Sequence, residues 1–208
     1  MLYTPTHFAI ERSEFAAAVM RAHPFATLLS QGADEPIVTH APLLLDDGGE
    51  RWRLLGHVAR ANPHWEAWRD GGPVLAIFHG ADAYISPSLY GVKKAVPTWN
   101  YVVVHARGRI TVTHDSEGKE RVLKALIDTH DPAYHAQWNE LDPTYREGMK
   151  QGIVAFSIAV EHLDAKFKLS QNRPHEDRVR VREAMQAGGE RGRELAAWMQ
   201  RLADDAAR

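Results

Sequence analysis

Hydrophobic and polar positions alternate along much of the first half of the chain, which is the pattern of half-buried β-strands. The segments "FATLLSQ" at 25–31 and "PIVTHAPLLLD" at 36–46 show this alternation, with the polar turn "GADE" between them. The turn "DDGGE" then leads into a third segment, "RWRLLGHVA" at 51–59. Because these connections are short, we expect neighbouring strands to pair antiparallel as hairpins.

Further strand patterns and several helical patterns follow along the chain. The additional strands are predicted at 73–80, 83–90, 98–114 and 153–170. Helical spacing of apolar residues predicts helices at 11–24, 62–72, 116–131 and 145–152, and two more in the tail, broken at Gly188–Gly189.

These elements predict a mainly β protein with helices, an α+β fold built on a closed or split β-barrel. A doubly wound sheet is disfavoured, because strands and helices do not alternate regularly and no glycine-rich nucleotide-binding turn is present. We predict a barrel domain over 1–173 and a helical C-terminal appendage over 174–208.

Composition narrows the classes of function. The 208 residues are 44% hydrophobic and 25% charged, as in an ordinary globular protein, and the net charge of −2 gives no overall attraction to nucleic acid or anionic lipid. The absence of cysteine excludes disulfides and thiolate chemistry. Without an apolar run of membrane length or a signal-peptide pattern, we expect a cytoplasmic protein with no membrane partner.

The segment "GHVARANPHW" at 56–65 passes from a strand into a predicted helix. Arg60 offers a guanidinium that suits a phosphate, Asn62 can cap the helix, and Pro63 suits the first helical position. The segment therefore has the parts of a phosphate-binding turn, flanked by His57. The alternative is that Asn62 only caps the helix and Arg60 is a surface charge.

The segment "KLSQNR" ends the last predicted strand. In an extended chain Lys168, Ser170 and Asn172 share one face, while Gln171 and Arg173 lie on the other. Polar donors on both faces indicate either a binding site or a solvated exit from the strand.

Two further segments carry aromatic and hydroxyl groups. "VPTWNYVVVHARG" places Trp99 and Asn100 together, which would suit a flat heteroaromatic ligand or an ordinary core strand. "AYISPSLY" presents Tyr84 and alternate hydroxyls, either in a pocket wall or on an edge strand protected by Pro87.

The histidines do not indicate a metal site. His40, His79 and His105 lie in separate predicted strands without the close spacing of zinc ligands, and no HExxH motif is present. The chain also lacks a GxSxG nucleophile motif, so the catalytic residues, if any exist, stay unknown. We expect no metal.

These motifs together resemble those of the PaiB family. "YTPTHF", "HPFATLLS", "GHVARANPHW", "AYISPSLY", "VPTWNYVVVHARG" and "KLSQNRPHEDR" occur in the family's order, over about Met1 to Met185. The chain departs from the family at Val58 and His64, where methionine and glutamine are frequent, and at Leu89, where tryptophan is common. The change at Leu89 could alter a pocket wall or the dimer surface.

The resemblance implies an FMN-binding split barrel, a homodimer with flavin sites between subunits, and a negative transcriptional regulator. By analogy with related flavin barrels, the Arg60–Asn62 turn would hold the FMN phosphate, the strand at 38–43 would run beside the isoalloxazine ring, and "KLSQNR" would reach the pocket. The predicted cofactor-binding residues are Thr39, His40, His57, Arg60, Asn62, Tyr84, Trp99, Asn100, Lys168, Ser170, Gln171 and Arg173.

Two other functions stay open at this point. A flavin-dependent oxidoreductase would use the FMN as hydride carrier, with His40, His57 and Tyr84 as candidates for proton transfer. A haem protein with histidine ligands is the least favoured. DNA is an open partner without support, because the sequence has no clear helix-turn-helix.

Overall fold

The computed structural model describes residues 2–68 and 71–206, and they form an α+β fold, as predicted. The strands are β1 Phe25–Gln31, β2 Pro36–Pro42, β3 Leu44–Asp46, β4 Arg53–Ala59, β5 Pro73–Ile85, β6 Thr98–Thr113 and β7 Ile153–Lys168. The helices are α1 Ser13–Ala22, α2 Ser116–His130, α3 Tyr134–Glu140, α4 Pro143–Gln151, α5 His175–Gln186 and α6 Glu190–Ala206. Short 3₁₀ helices lie at Thr6–Phe8, Pro63–Trp68 and Pro87–Leu89.

The seven strands form one sheet in the order β2-β1-β5-β6-β7-β4-β3. β1 and β2 pair antiparallel from Phe25 opposite Pro42 to Gln31 opposite Pro36, as the short "GADE" turn predicts. β4 pairs antiparallel with β7, with Gly56 opposite Phe156. A Cβ at Gly56 would come within 2.9 Å of the Phe156 ring, so this strand position requires glycine.

The chain divides into two compact units, each made of segments distant in sequence. The first unit contains Met1–Val19, His79–Val104 and Asp164–Arg208, and the second contains Met20–Phe78 and His105–Leu163. The predicted boundary near Arg173 stays a prediction.

Each unit has its own aromatic core. In the first unit the buried Phe167 ring packs edge-on against Phe15 of α1 and Trp198 of α6, with ring centroids 6.2 and 5.2 Å away. In the second unit the buried Trp68 packs against Phe156 at 5.0 Å, and its indole N–H donates to Ser30 Oγ. The alternating strand patterns thus bury one face, as the sequence indicates.

Four element predictions differ from the structure. The strand predicted at 36–46 is two strands, β2 and β3, interrupted at Leu43. The strands predicted at 73–80 and 83–90 are one strand as far as Ile85, because the intervening residues keep extended geometry until Pro87 opens a 3₁₀ turn. The helix predicted at 62–72 is a 3₁₀ helix over Pro63–Trp68, and residues 69 and 70 of that prediction lie outside the described residues. Helix α3 was missed, since its only buried residue is Trp138 and a single apolar position shows no period.

Candidate functional site

The second unit holds a cluster of Thr39, Asn62 and His64, here called the threonine–histidine cluster. Asn62 Nδ2 donates to Thr39 Oγ1 at 3.0 Å, and Thr39 Oγ1 lies 2.9 Å from His64 Nδ1. The backbone N–H of His64 donates to Asn62 Oδ1 at 3.0 Å. Asn62 therefore does cap the 3₁₀ helix while its amide nitrogen links that helix to β2.

Thr39 Oγ1 also fixes the ring of His64 through its Nδ1. Because a hydroxyl has one proton and two lone pairs, either the hydroxyl or the ring nitrogen can donate in this bond. Nε2 is buried without a hydrogen-bond partner in the part of the chain described. Burial lowers the pKa of His64 to about 4, so the ring is neutral near pH 7 and offers one unsatisfied ring nitrogen.

Arg60 lies in the same turn, exposed, with part of its guanidinium already bonded. Nε donates to the carbonyl of Gln151 at 2.9 Å and Nη2 to that of Ile153 at 3.4 Å. The guanidinium carbon lies 5.7 Å from the ring centroid of Trp65, so the side chain is held over an aromatic face. A guanidinium has five N–H donors, and these two bonds orient it without exhausting them.

Further positive charge lies near Arg60. Lys119 is buried and donates to the carbonyl of Lys150 at 2.9 Å. Burial, and next the nearby charge of Arg60, lowers the pKa of Lys119. The surroundings of Arg60 therefore favour an anion.

The other two predicted residues of this unit, His57 and His40, do not join the cluster by any direct bond. His57 Nδ1 is buried without a partner among the described residues, and burial lowers the pKa of the ring. His40 is exposed on β2, 3.1 Å from Thr27 Oγ1 and stacked on Phe25 at 6.2 Å.

The first unit brings Asn100 of β6 and Ser170 together, here called the asparagine–serine pair. Asn100 Nδ2 donates to Ser170 Oγ at 2.9 Å, and the two residues are only 1% and 4% exposed. Asn100 Oδ1 is buried without a partner in the described chain. Ser170 has φ +65°, the left-handed region that L-residues avoid, so this geometry is held at an energetic cost.

The rest of the "KLSQNR" segment surrounds this pair. Lys168 Nζ donates to Thr98 Oγ1. Gln171 accepts from the backbone N–H of Leu169 at 2.6 Å and donates to the carbonyl of Phe167, which satisfies the end of β7.

An aromatic ring adjoins the C-terminal end of the segment. The guanidinium carbon of Arg173 lies 4.1 Å from the ring centroid of Tyr90. On the neighbouring strands Tyr84 and Trp99 form an edge-on pair at 6.2 Å, and their side chains are 51% and 53% exposed. Large aromatic rings left this exposed indicate a binding surface.

The predicted cofactor-binding set leaves out two residues that contact its members, since Thr98 accepts from Lys168 and Tyr90 lies under Arg173. Lys166 is also outside the set, and it is buried with its Nζ donating to the carbonyl of Tyr3 at 2.8 Å. A lysine between the apolar Ala165 and Phe167, two residues before Lys168, was the available signal for Lys166.

Neither a metal cluster nor a membrane-spanning helix is present in the described residues. Within residues 2–68 and 71–206 no three histidine or acidic side chains are arranged to hold a metal ion. In the same residues no helix has the length and apolar content needed to cross a bilayer.

Solved structures with similar folds include the flavocytochrome Anf3 from Azotobacter vinelandii and an FAD- and haem-binding protein from Mycobacterium smegmatis. Anf3 is 18% identical with a TM-score of 0.63, over 83% of this chain and 75% of that one. The mycobacterial protein is 15% identical with a TM-score of 0.62, over 82% and 78%. The fold is therefore of the split-barrel class, as predicted.

Family membership follows from sequence. Residues 2–162 match the family described as "Putative FMN-binding domain". The chain is also 33% identical over 187 residues to "Protease synthase and sporulation protein PAI 2" of Bacillus subtilis, covering 89% of each chain. The chain belongs to this FMN-binding family, which confirms both the resemblance to PaiB and FMN as the cofactor.

The residues present fit such a cofactor. FMN has a dianionic phosphate, a ribityl chain of hydroxyls and a flat ring with N–H and carbonyl groups, so it needs cations, donors and acceptors. The described chain has buried polar atoms without partners at His57, His64 and Asn100, and each requires an external partner. When bound, FMN supplies hydride and one-electron transfer chemistry.

Proposed function

We propose that this protein is a regulatory flavoprotein of the PaiB type that binds FMN as a homodimer. The relative in Bacillus subtilis is named for protease synthesis and sporulation, and similarity over 89% of both chains supports a shared role. A cytoplasmic location stays a prediction from the sequence.

The second unit supplies the phosphate-binding groups in this proposal. Arg60 is fixed by two backbone carbonyls and a tryptophan face, so little side-chain entropy is lost when it binds an anion. Lys119 adds positive potential nearby. The neutral His64 offers its unsatisfied Nε2 to a ribityl hydroxyl, which can donate or accept. Thr39 and Asn62 position that imidazole, and His57 offers a further unsatisfied ring nitrogen.

The first unit supplies groups suited to a flavin ring. Asn100 Oδ1 is an unsatisfied acceptor that would take a hydrogen bond from a ring N–H, and this orphaned oxygen is the observation that carries the assignment. Ser170, Gln171 and Lys168 hold the surrounding segment in place. Tyr84 and Trp99 would cover the apolar surface of the flavin ring. Arg173 is also a candidate flavin-binding residue, because its guanidinium is held over the ring of Tyr90.

A homodimer is supported by the exposed apolar surface of both units. Tyr84, Val96 and Trp99 are exposed in the first unit, and Phe25 and Val38 in the second. Aromatic side chains are enriched at protein interfaces, where their burial contributes most of the binding energy. Light scattering should give about twice the chain mass, and Trp99→Ser should shift the protein towards monomer.

The test of cofactor binding is a titration with FMN followed by flavin fluorescence. We expect one FMN per chain and loss of affinity in Asn100→Leu, with no change in His135→Gln, an exposed residue distant in sequence whose ring pairs with Asp128. Unchanged affinity in Asn100→Leu would refute the assignment of Oδ1.

Regulation is tested separately from flavin binding. Binding to promoter DNA of a protease gene, lost steeply as salt rises, would support a direct role. If the FMN-loaded dimer does not distinguish such DNA from random DNA, direct transcriptional regulation is excluded.

A flavin-dependent oxidoreductase is the second candidate, favoured by the two buried neutral imidazoles. A ring nitrogen without a partner at His57 or His64 can donate or accept a proton beside a bound flavin. Steady NAD(P)H oxidation that requires FMN and falls in His57→Gln would favour this function over regulation.

A further inference from the structure

A cavity of about 430 Å³ lies in the first unit among helices α5 and α6 and the end of β7. Its apolar wall is formed mainly by Leu169, Val179, Met199 and Leu202. This volume falls within the range of small-molecule sites in proteins, roughly 300–1,000 Å³. None of its lining residues belongs to the predicted flavin-binding set except Gln171.

The charged side chains of the cavity lining carry one sign of charge. They are Arg178 and Arg182, and no aspartate or glutamate is among the lining residues described. Arg182 is bonded to Gln200 Oε1 of α6, which fixes its head group. Apolar walls with cationic groups at one place are complementary to an anion with an apolar body.

Arg178 provides the decisive observation. Its Nε is buried without a hydrogen-bond partner in the described part of the chain, although the neighbouring Arg180 pairs with Asp177. A buried guanidinium N–H without an acceptor costs free energy, so such groups are almost always bonded in native proteins. Both observations indicate a ligand that has a hydrogen-bond acceptor for Arg178 Nε and an apolar part for the cavity walls.

We propose that this cavity binds a small carboxylic acid with an apolar chain, its carboxylate on Arg178 and its hydrocarbon between α5 and α6. The carboxylate supplies the acceptor that Arg178 Nε lacks, in a charge-assisted hydrogen bond. The chain replaces water at Val179, Met199 and Leu202. This proposal does not rest on FMN binding, although Gln171 lines the cavity and also belongs to the predicted flavin-binding set.

The test uses octanoate as probe on the full-length protein, by isothermal titration calorimetry. We expect one octanoate per chain, and weaker binding of butyrate and of octan-1-ol, which lack the chain length and the charge respectively. Arg178→Met should weaken octanoate binding by at least about tenfold, since a hydrogen bond to a charged group contributes about 1.5–3 kcal/mol. Ala203→Phe, which places a ring in the cavity, should abolish it.

The matched control is Arg191→Met, which removes one cation from α6 at an exposed position outside the cavity lining. It should leave octanoate affinity within about twofold of wild type. Equal affinity for octan-1-ol and octanoate, or an unchanged affinity in Arg178→Met, would overturn the proposal. So would absence of octanoate binding to a correctly folded wild type.

Discussion

The threonine–histidine cluster of the second unit and the asparagine–serine pair of the first unit leave different chemistry unsatisfied. In the second unit the groups near the Arg60 turn are a guanidinium, which only donates, and a neutral imidazole nitrogen without a partner among the described residues. In the first unit the unsatisfied atom is an acceptor, Asn100 Oδ1, in a chain segment bordered by exposed aromatic rings. Donors beside positive charge suit a phosphate, and an acceptor beside flat apolar surface suits a heteroaromatic ring.

The two clusters also differ in how the backbone forms them. The second-unit cluster uses ordinary turn geometry with an asparagine cap. The asparagine–serine pair depends on one residue at φ +65°. Strained geometry of this kind is found preferentially at ligand sites, where the surrounding fold holds it.

Among the substitutions that distinguish the two clusters, Arg60→Ala should lower FMN affinity the most. We expect FMN affinity to fall about 10- to 100-fold, because a charge-assisted bond to phosphate is lost. Arg109→Ala is the matched control, since Arg109 is also exposed, lies in the same unit and donates to a backbone carbonyl, that of Gly71. If FMN affinity fell equally in both variants, Arg60 would not be a specific ligand of the phosphate.

The role of Asn100 in binding the flavin ring is tested by comparing how Asn100→Leu binds FMN and riboflavin. Riboflavin, which lacks the phosphate, should bind Arg60→Ala and wild type alike, whereas Asn100→Leu should weaken both FMN and riboflavin by about tenfold. Fluorescence titration of the two flavins measures this. If Asn100→Leu affected FMN alone, the acceptor would not serve the ring.

A third prediction concerns pH and the buried imidazole. The folded-state pKa of His64 is about 4, below its ordinary 6.5, so protonation favours the unfolded chain. The free energy of unfolding should therefore be highest above pH 6.5 and fall as the pH drops towards 4, with a contribution approaching about 1.4 kcal/mol per pH unit. Burial also lowers the pKa of His57, so its protonation likewise decreases the free energy of unfolding as the pH falls.

Urea denaturation of wild type and His64→Gln between pH 4 and 7 measures this contribution. The variant should show a shallower slope, while His130→Gln, at an exposed helix end, should keep the slope of wild type. A slope unchanged in His64→Gln would show that the imidazole is not buried in its neutral form.

The smallest effect is expected at Ser170, where two substitutions separate strain from hydrogen bonding. Both Ser170→Ala and Ser170→Gly remove the acceptor for Asn100 Nδ2, but only glycine relieves the left-handed backbone. We expect the glycine variant to be more stable than the alanine variant by about 1 kcal/mol, measured by thermal or urea unfolding. Equal stability would mean that φ at this position carries no cost.

Local sequence patterns predicted most elements because these depend on neighbouring residues. The alternation at 25–31 gives β1 with the predicted bounds, and the Gly188–Gly189 break separates two tail helices as expected. The strand Pro73–Ile85 was wrongly predicted as two strands. Its extended backbone continues to Ile85 and ends only just before Pro87, which cannot donate to a strand ladder.

The chain by itself determined the fold class, the family and the residue types that FMN needs, because periodicity and ordered motifs are properties of adjacent positions. Only the tertiary structure decided that Thr39 meets His64, that Asn100 meets Ser170, and that Arg178 faces a cavity without an acceptor. Those pairings join residues 25 to 70 positions apart, or depend on how helices pack, and side-chain burial is set by that packing.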